Sequence, residues 1–175
     1  DGAEEWTIPP TISKTCRIRI SDYYDDADSY TVSGANFKIQ GKIMLTSPVG
    51  GEKWGCGELK DIEWNYLGNI AKVDIHYFNG STWVIIDEAQ GLTNNGEYSW
   101  TVPTIATNMA KIRVRDNDDP DNVFDVSLNV FKIMGRIVLD TPNGGGAPWY
   151  AGSDQTIEWT KYGPASFNTV KIEYS

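Results

Sequence analysis

The chain has 175 residues, 40% of them hydrophobic and 12% aromatic, which supplies a packed core and argues against a disordered polymer. Fifteen basic and 24 acidic residues leave a formal charge of −9, so phosphate backbones and anionic membranes are repelled and nucleic acid is not an expected partner. No apolar run reaches the roughly 20 residues that span a bilayer and no basic-then-apolar leader opens the chain, so no membrane insertion by this segment is expected.

The first element in chain order is also the first half of a repeat. The segment from Trp6, WTIPPTISKTCRIRISDYYDDADSYTVSGANFKIQGKI, aligns without a gap to the segment from Trp100, WTVPTIATNMAKIRVRDNDDPDNVFDVSLNVFKIMGRI, a step of 94 residues. A second block, KIMLTSPVGGEKWGCGELKDIEWNYLG from Lys42, aligns to RIVLDTPNGGGAPWYAGSDQTIEWTKYG from Arg136 with one inserted residue near Pro148. Three units follow: residues 1–40 as the C-terminal part of one repeat, 41–134 as a complete repeat, and 135–175 as the N-terminal part of a third. A part of a sandwich leaves apolar surface uncovered, so the native polypeptide is expected to be longer, with completion by neighbouring copies as the alternative.

Within the complete unit, period-two alternation between turn clusters predicts strands at residues 43–47, 59–65, 72–78, 82–87, 97–102, 110–116 and 123–133. Seven short strands without helical periodicity point to an all-β fold of tandem immunoglobulin-like sandwiches. Gly50 and Gly51 after Pro48 break the first strand and let it switch or bulge before Trp54. Alternation turns Ile62, Trp64, Val73, Ile75, Tyr77, Ile112 and Val114 to the core, and Asp74, His76, Lys111 and Arg113 outward. Asn79 and Gly80 are expected in a two-residue hairpin turn, and the same residues with Ser81 form an N-glycosylation sequon.

The ordered motifs SPVGGEKW, GxxxxIEW, KVDIHYF, GSTW, GEYSWTVP, KIRVRD and VFKI resemble the immunoglobulin-like repeat of Ser/Thr-rich, GPI-anchored fungal wall proteins of the KNH type. That repeat recurs in tandem in bacterial secreted and surface-layer proteins. The resemblance spans the middle unit and both partial ones, and implies a sandwich fold, an extracellular cell-surface location and no catalytic residues. The Ser/Thr-rich tail and GPI signal of the fungal members are not found here, which favours a bacterial surface or S-layer setting.

Candidate ligand groups concentrate in the loop RDNDDPDNVFD, where Asp116, Asp118, Asp119, Asp121 and Asp125 cluster, and in its counterpart with Asp22, Asp25, Asp26 and Asp28. Clustered carboxylates suit calcium, which makes these aspartates a candidate calcium site; no cofactor is otherwise implied. Pro120 and Asp121 stand where an EF-hand needs its glycine turn, and Asp and Asn also serve as ordinary turn residues. Cys16 and Cys56 fall in different units opposite Ala110 and Ala151, so free or intermolecular thiols are favoured over a disulfide between them. Trp54, Trp149 and Tyr150 could stack on sugars, but the recurrence of Trp54 at Trp149 favours core packing. The single histidine, His76, has no triad partners in sight, so the chain is not expected to be an enzyme. A spacer or S-layer lattice element is the leading expectation, with an adhesin or carbohydrate-binding module as the rival. The expected partners are neighbouring repeats, copies of the same protein, or cell-wall and surface glycans.

Overall fold

The computed structural model describes residues 2–175 and is built almost wholly of strands. Preceding the central unit are β1 (Ser13–Cys16), β2 (Arg19–Ser21), β3 (Tyr30–Val32) and β4 (Phe37–Ile39). The unit itself contains β5 (Lys42–Ser47), β6 (Lys53–Gly55), β7 (Leu59–Leu67), β8 (Lys72–Phe78), β9 (Trp83–Ile85), β10 (Leu92–Thr93), β11 (Glu97–Thr101), β12 (Thr107–Asp116), β13 (Phe124–Val126) and β14 (Phe131–Met134). After it come β15 (Arg136–Thr141) and β16 (Glu158–Tyr162).

The central unit is a β-sandwich. One sheet runs β11-β7-β5, the other β10-β8-β12-β14-β6, with β9 also on β8 and β13 also on β12. The residues that alternation turns inward fill the space between them: Ile62, Val73, Ile75, Ile112 and Val114 are fully buried, and Trp64 and Tyr77 nearly so. An aromatic centre closes the core, Trp54 lying 4.7 Å from Phe131 and 6.1 Å from Trp100, which in turn lies 5.2 Å from Tyr77. Burial of such side chains at roughly 2 kcal/mol each is the main favourable term of the fold.

The first strand changes sheets where its glycines stand. β5 pairs with β7; past a cis Ser47-Pro48 bond, Gly50 at φ +122° and Gly51 at φ +86°, the chain re-enters as β6, parallel to β14 in the opposite sheet. A Cβ on Gly50 would lie 2.4 Å from Cβ of Asn129 and 2.7 Å from its carbonyl carbon, so only glycine fits. The Glu52 carboxylate holds the crossing by accepting from the Val49 and Gly50 N–H groups, both at 2.8 Å.

Three expectations are corrected. Residues 82–87 do not form one strand: β9 ends at Ile85, Ile86 and Ala89 tuck into the core around a 3-10 turn at Asp87–Ala89, and β10 rejoins the same edge of β8. Residues 123–133 split into β13 and β14, because the buried Ser127 hydroxyl accepts from the Ile112 N–H at 2.9 Å and the chain bulges outward at Leu128 and Asn129. The Asn79 turn is a four-residue loop, in which Asn79 Oδ1 accepts from Ser81 and Thr82 N–H and only Gly80 takes positive φ.

Outside the central unit, strand pairing repeats its registers. Ser13 faces Ile39 and Cys16 faces Phe37, as Thr107 faces Ile133 and Ala110 faces Phe131. Arg19 faces Val32 and Ser21 faces Tyr30, as Arg113 faces Val126 and Arg115 faces Phe124. Leu139 opposite Trp159 and Thr141 opposite Glu158 reproduce Leu45 opposite Trp64 and Ser47 opposite Glu63, irregularity included. Without a second sheet over them, Ile18, Ile20, Ile137 and Leu139 are exposed.

Candidate functional site

The five aspartates of the 116–125 loop do not share one face. Asp116 ends β12 on its inner side, is 5% exposed, and accepts from the Asp118 N–H at 2.9 Å. Asp119 accepts from the Asn122 side chain at 2.7 Å, while Asp118 and Asp121 are exposed. Asp125 sits opposite Val114 and turns inward, where its two oxygens accept from Leu45 and Val126 N–H at 2.8 Å. It thereby bridges the two sheets. Among the described residues no three His, Cys, Asp or Glu side chains converge to hold a metal ion. In the counterpart loop, Asp22 accepts from the Tyr24 and Asp25 N–H groups, while Tyr23 and Tyr24 project at 89% and 94% exposure.

Other singled-out residues separate by burial. Cys56 is fully buried and burial raises its thiol pKa; Cys16 is partly exposed, and both are free thiols. Trp54 is core, whereas Trp149 and Tyr150 lie open beside a cleft of about 600 Å³ lined also by Asp140, Pro142 and Gln155. Glu63 and Glu97 stand directly opposite each other in a second cleft of about 450 Å³ between β7 and β11, both exposed.

The outer face of β8 and β12 holds a cluster that reads in the sequence only as solvated residues. Here Asp74 faces Arg115 and His76 faces Arg113 across the strand pair. Asp74 is 4% exposed: it pairs with Arg115 at 3.3 Å and accepts from the Gly91 N–H at 2.8 Å and the Asn117 side chain at 3.1 Å. Arg113 lies over the ring of Trp83 at 4.7 Å, and Trp83 packs against Phe78 at 5.5 Å. Since β8 runs between β12 and β9, the Arg113 side chain passes over β8, and His76 beneath it is only 7% exposed. Burial, then the charges of Arg115 and Arg113, push the His76 pKa down to about 4 against a weaker opposing pull from Asp74. His76 Nδ1 and the Nε atoms of Arg113 and Arg115 are buried without partners. The alternating D-x-H and R-x-R on two strands is the signal that could have found this cluster.

At the unit boundaries, two residues, Gln40 and Gly41, separate β4 from β5, and Gly135 alone separates β14 from β15. Each boundary holds a glycine pair in near contact: a Cβ on Gly68 would lie 3.3 Å from the Gly41 Cα, and a Cβ on Gly163 would lie 3.3 Å from the Gly135 Cα. Side chains plug both. Ile12 and Ile70 crowd Gly41 at the first, and Phe167 crowds both Gly135 and Gly163 at the second. Polar contacts span the same seams: Asn69 N–H donates to the Pro10 carbonyl at 2.9 Å, Gln40 Nε2 to the Asn122 carbonyl at 2.9 Å, and Arg136 Nε to the Cys56 carbonyl at 3.2 Å. Arg136 also lies 4.2 Å over the Tyr162 ring.

No protein-family model matches the chain, and no curated protein matches it.

Proposed function

We propose that the chain is a non-catalytic structural module of an extracellular cell-surface assembly, a stiff spacer or lattice element made of successive sandwich units. The observation that carries this reading is the pair of boundaries. One or two linking residues, an interlocked glycine pair and an apolar plug leave little freedom for one unit to swing against the next. The resemblance of the ordered motifs to wall and surface-layer repeats supports the location. Small-angle X-ray scattering tests the stiffness: the native chain should give a narrow distance distribution, and a variant with a five-residue Gly/Ser insertion after Gly135 should give a broader one. Indistinguishable distributions would sink the spacer reading.

The rival, a carbohydrate-binding module, draws on the open Trp149 and Tyr150 beside their cleft. Trp54, the equivalent of Trp149 in the central unit, is covered by Phe131 and Trp100, which favours packing as the role of that position. Saturable quenching of tryptophan fluorescence by a wall glycan, lost in Trp149→Ala, would reverse that preference.

A further inference from the structure

Arg113 is a cation without an anion. Among the described residues no carboxylate pairs with it; Asp74, the acid of this face, is engaged by Arg115, Gly91 and Asn117. The Trp83 ring is the one stabilising contact of this guanidinium, and its buried Nε has no hydrogen-bond partner, so a carboxylate would add what the chain does not supply. The flanks are apolar: Ile85 lies opposite His76, Val126 opposite Arg113, and Phe124, 48% exposed, opposite Arg115. A cationic, partly aromatic face on a chain of net charge −9 is built for an acidic, aromatic partner.

The chain itself carries such a partner. The loop at residues 22–29 presents Tyr23 and Tyr24, their rings in edge contact at 5.1 Å, beside Asp25, Asp26 and Asp28. Two large aromatics at about nine-tenths exposure on an acidic tip are unpaid apolar surface. Their equivalents one unit later, Asn117 and Asp118, are exposed too, although that loop touches the preceding unit through Gln40. Chain neighbours therefore leave this side of the loop open. A glycan fits the Arg113 face less well, because the Trp83 ring is already engaged by Arg113 and by Phe78.

We infer that the outer face of β8 and β12 around Arg113 docks the acidic tyrosine loop, residues 22–29, of a second copy of this chain. The carboxylates of the loop pair with the Arg113 guanidinium, and the tyrosines cover Phe124 and Val126. This contact does not depend on the spacer reading: a stiff chain that never self-associates would sink the docking and leave the rod intact.

Sedimentation velocity at up to about 1 mM chain, at low and at high salt, reads it directly. Self-association should weaken with salt and fall on the order of tenfold in Tyr23→Ser/Tyr24→Ser, whose side chains are too exposed to matter for folding. It should be lost in Arg113→Glu alone and in Asp25→Lys/Asp26→Lys alone, with thermal melts confirming that each variant folds. Mixing the last two should restore it in one-to-one stoichiometry, since each supplies the native half that the other lacks. A chain that stays monomeric, association indifferent to these changes, or a mixture that fails to recover overturns the proposal.

Discussion

His76 shows how a side chain on the outward register can still be buried. Alternation places it correctly on the outer face, yet alternation says nothing of what lies above, and Arg113 reaching to Trp83 covers it. A consequence follows for pH. The folded pKa of about 4 lies below the ordinary 6.5, so as pH falls through this window the unfolded state takes up a proton that the folded state refuses. Stability should be unaffected by His76 above about pH 6.5 and decline below it, by up to roughly 1.4 kcal/mol per pH unit, until about pH 4. Denaturant titrations of wild type and His76→Gln across that range should show the slope reduced in the variant. On the same scale, the aspartates of the 116–125 loop teach the opposite lesson. Their clustering is legible, but period-two geometry sends Asp125 inward to the Leu45 N–H, which sequence proximity alone does not reveal.

At the level of elements, β7, β8 and β11 are readable because apolar and polar residues largely alternate along each, and β8 coincides with its expected bounds, Lys72–Phe78, although its outer residues Asp74 and His76 are buried as well. The short strands are less readable. β6, β9, β10 and β13 have two or three residues each, too few for a period to declare itself, and they are set by partners on neighbouring strands. The switch at Gly50 was legible from its glycines, though not its destination beside β14. Gly50→Ala would force a Cβ into Asn129 at a φ that L-residues rarely adopt, so a loss of at least about 2 kcal/mol in equilibrium unfolding is expected. Ser127→Ala should cost about 1–3 kcal/mol in the same assay, because the buried Ile112 N–H loses the hydroxyl it donates to.

Across the molecule, the period of 94 residues visible in the letters reappears as equal strand registers on either side of the central unit. The boundaries were legible as short linkers, but the plug residues were not, because Ile12 and Phe167 act at positions where the two seams differ. Gly135→Val would press into Phe167 and should loosen the second seam without unfolding the central sandwich. Limited proteolysis should then cut near residue 135 faster, while the melting of the central unit changes little.

The parallel pairing of β6 with β14 has a mechanical meaning. Chain tension enters the central unit near β5 and leaves through Met134, so a pull along the array draws β6 and β14 in opposite senses along their shared length. The Gly51, Lys132 and Cys56 N–H bonds that bridge this edge then carry the strain simultaneously, in shear, rather than opening one after another like a zip. A unit clasped this way yields late under stretching, because its edge bonds must break together rather than one by one.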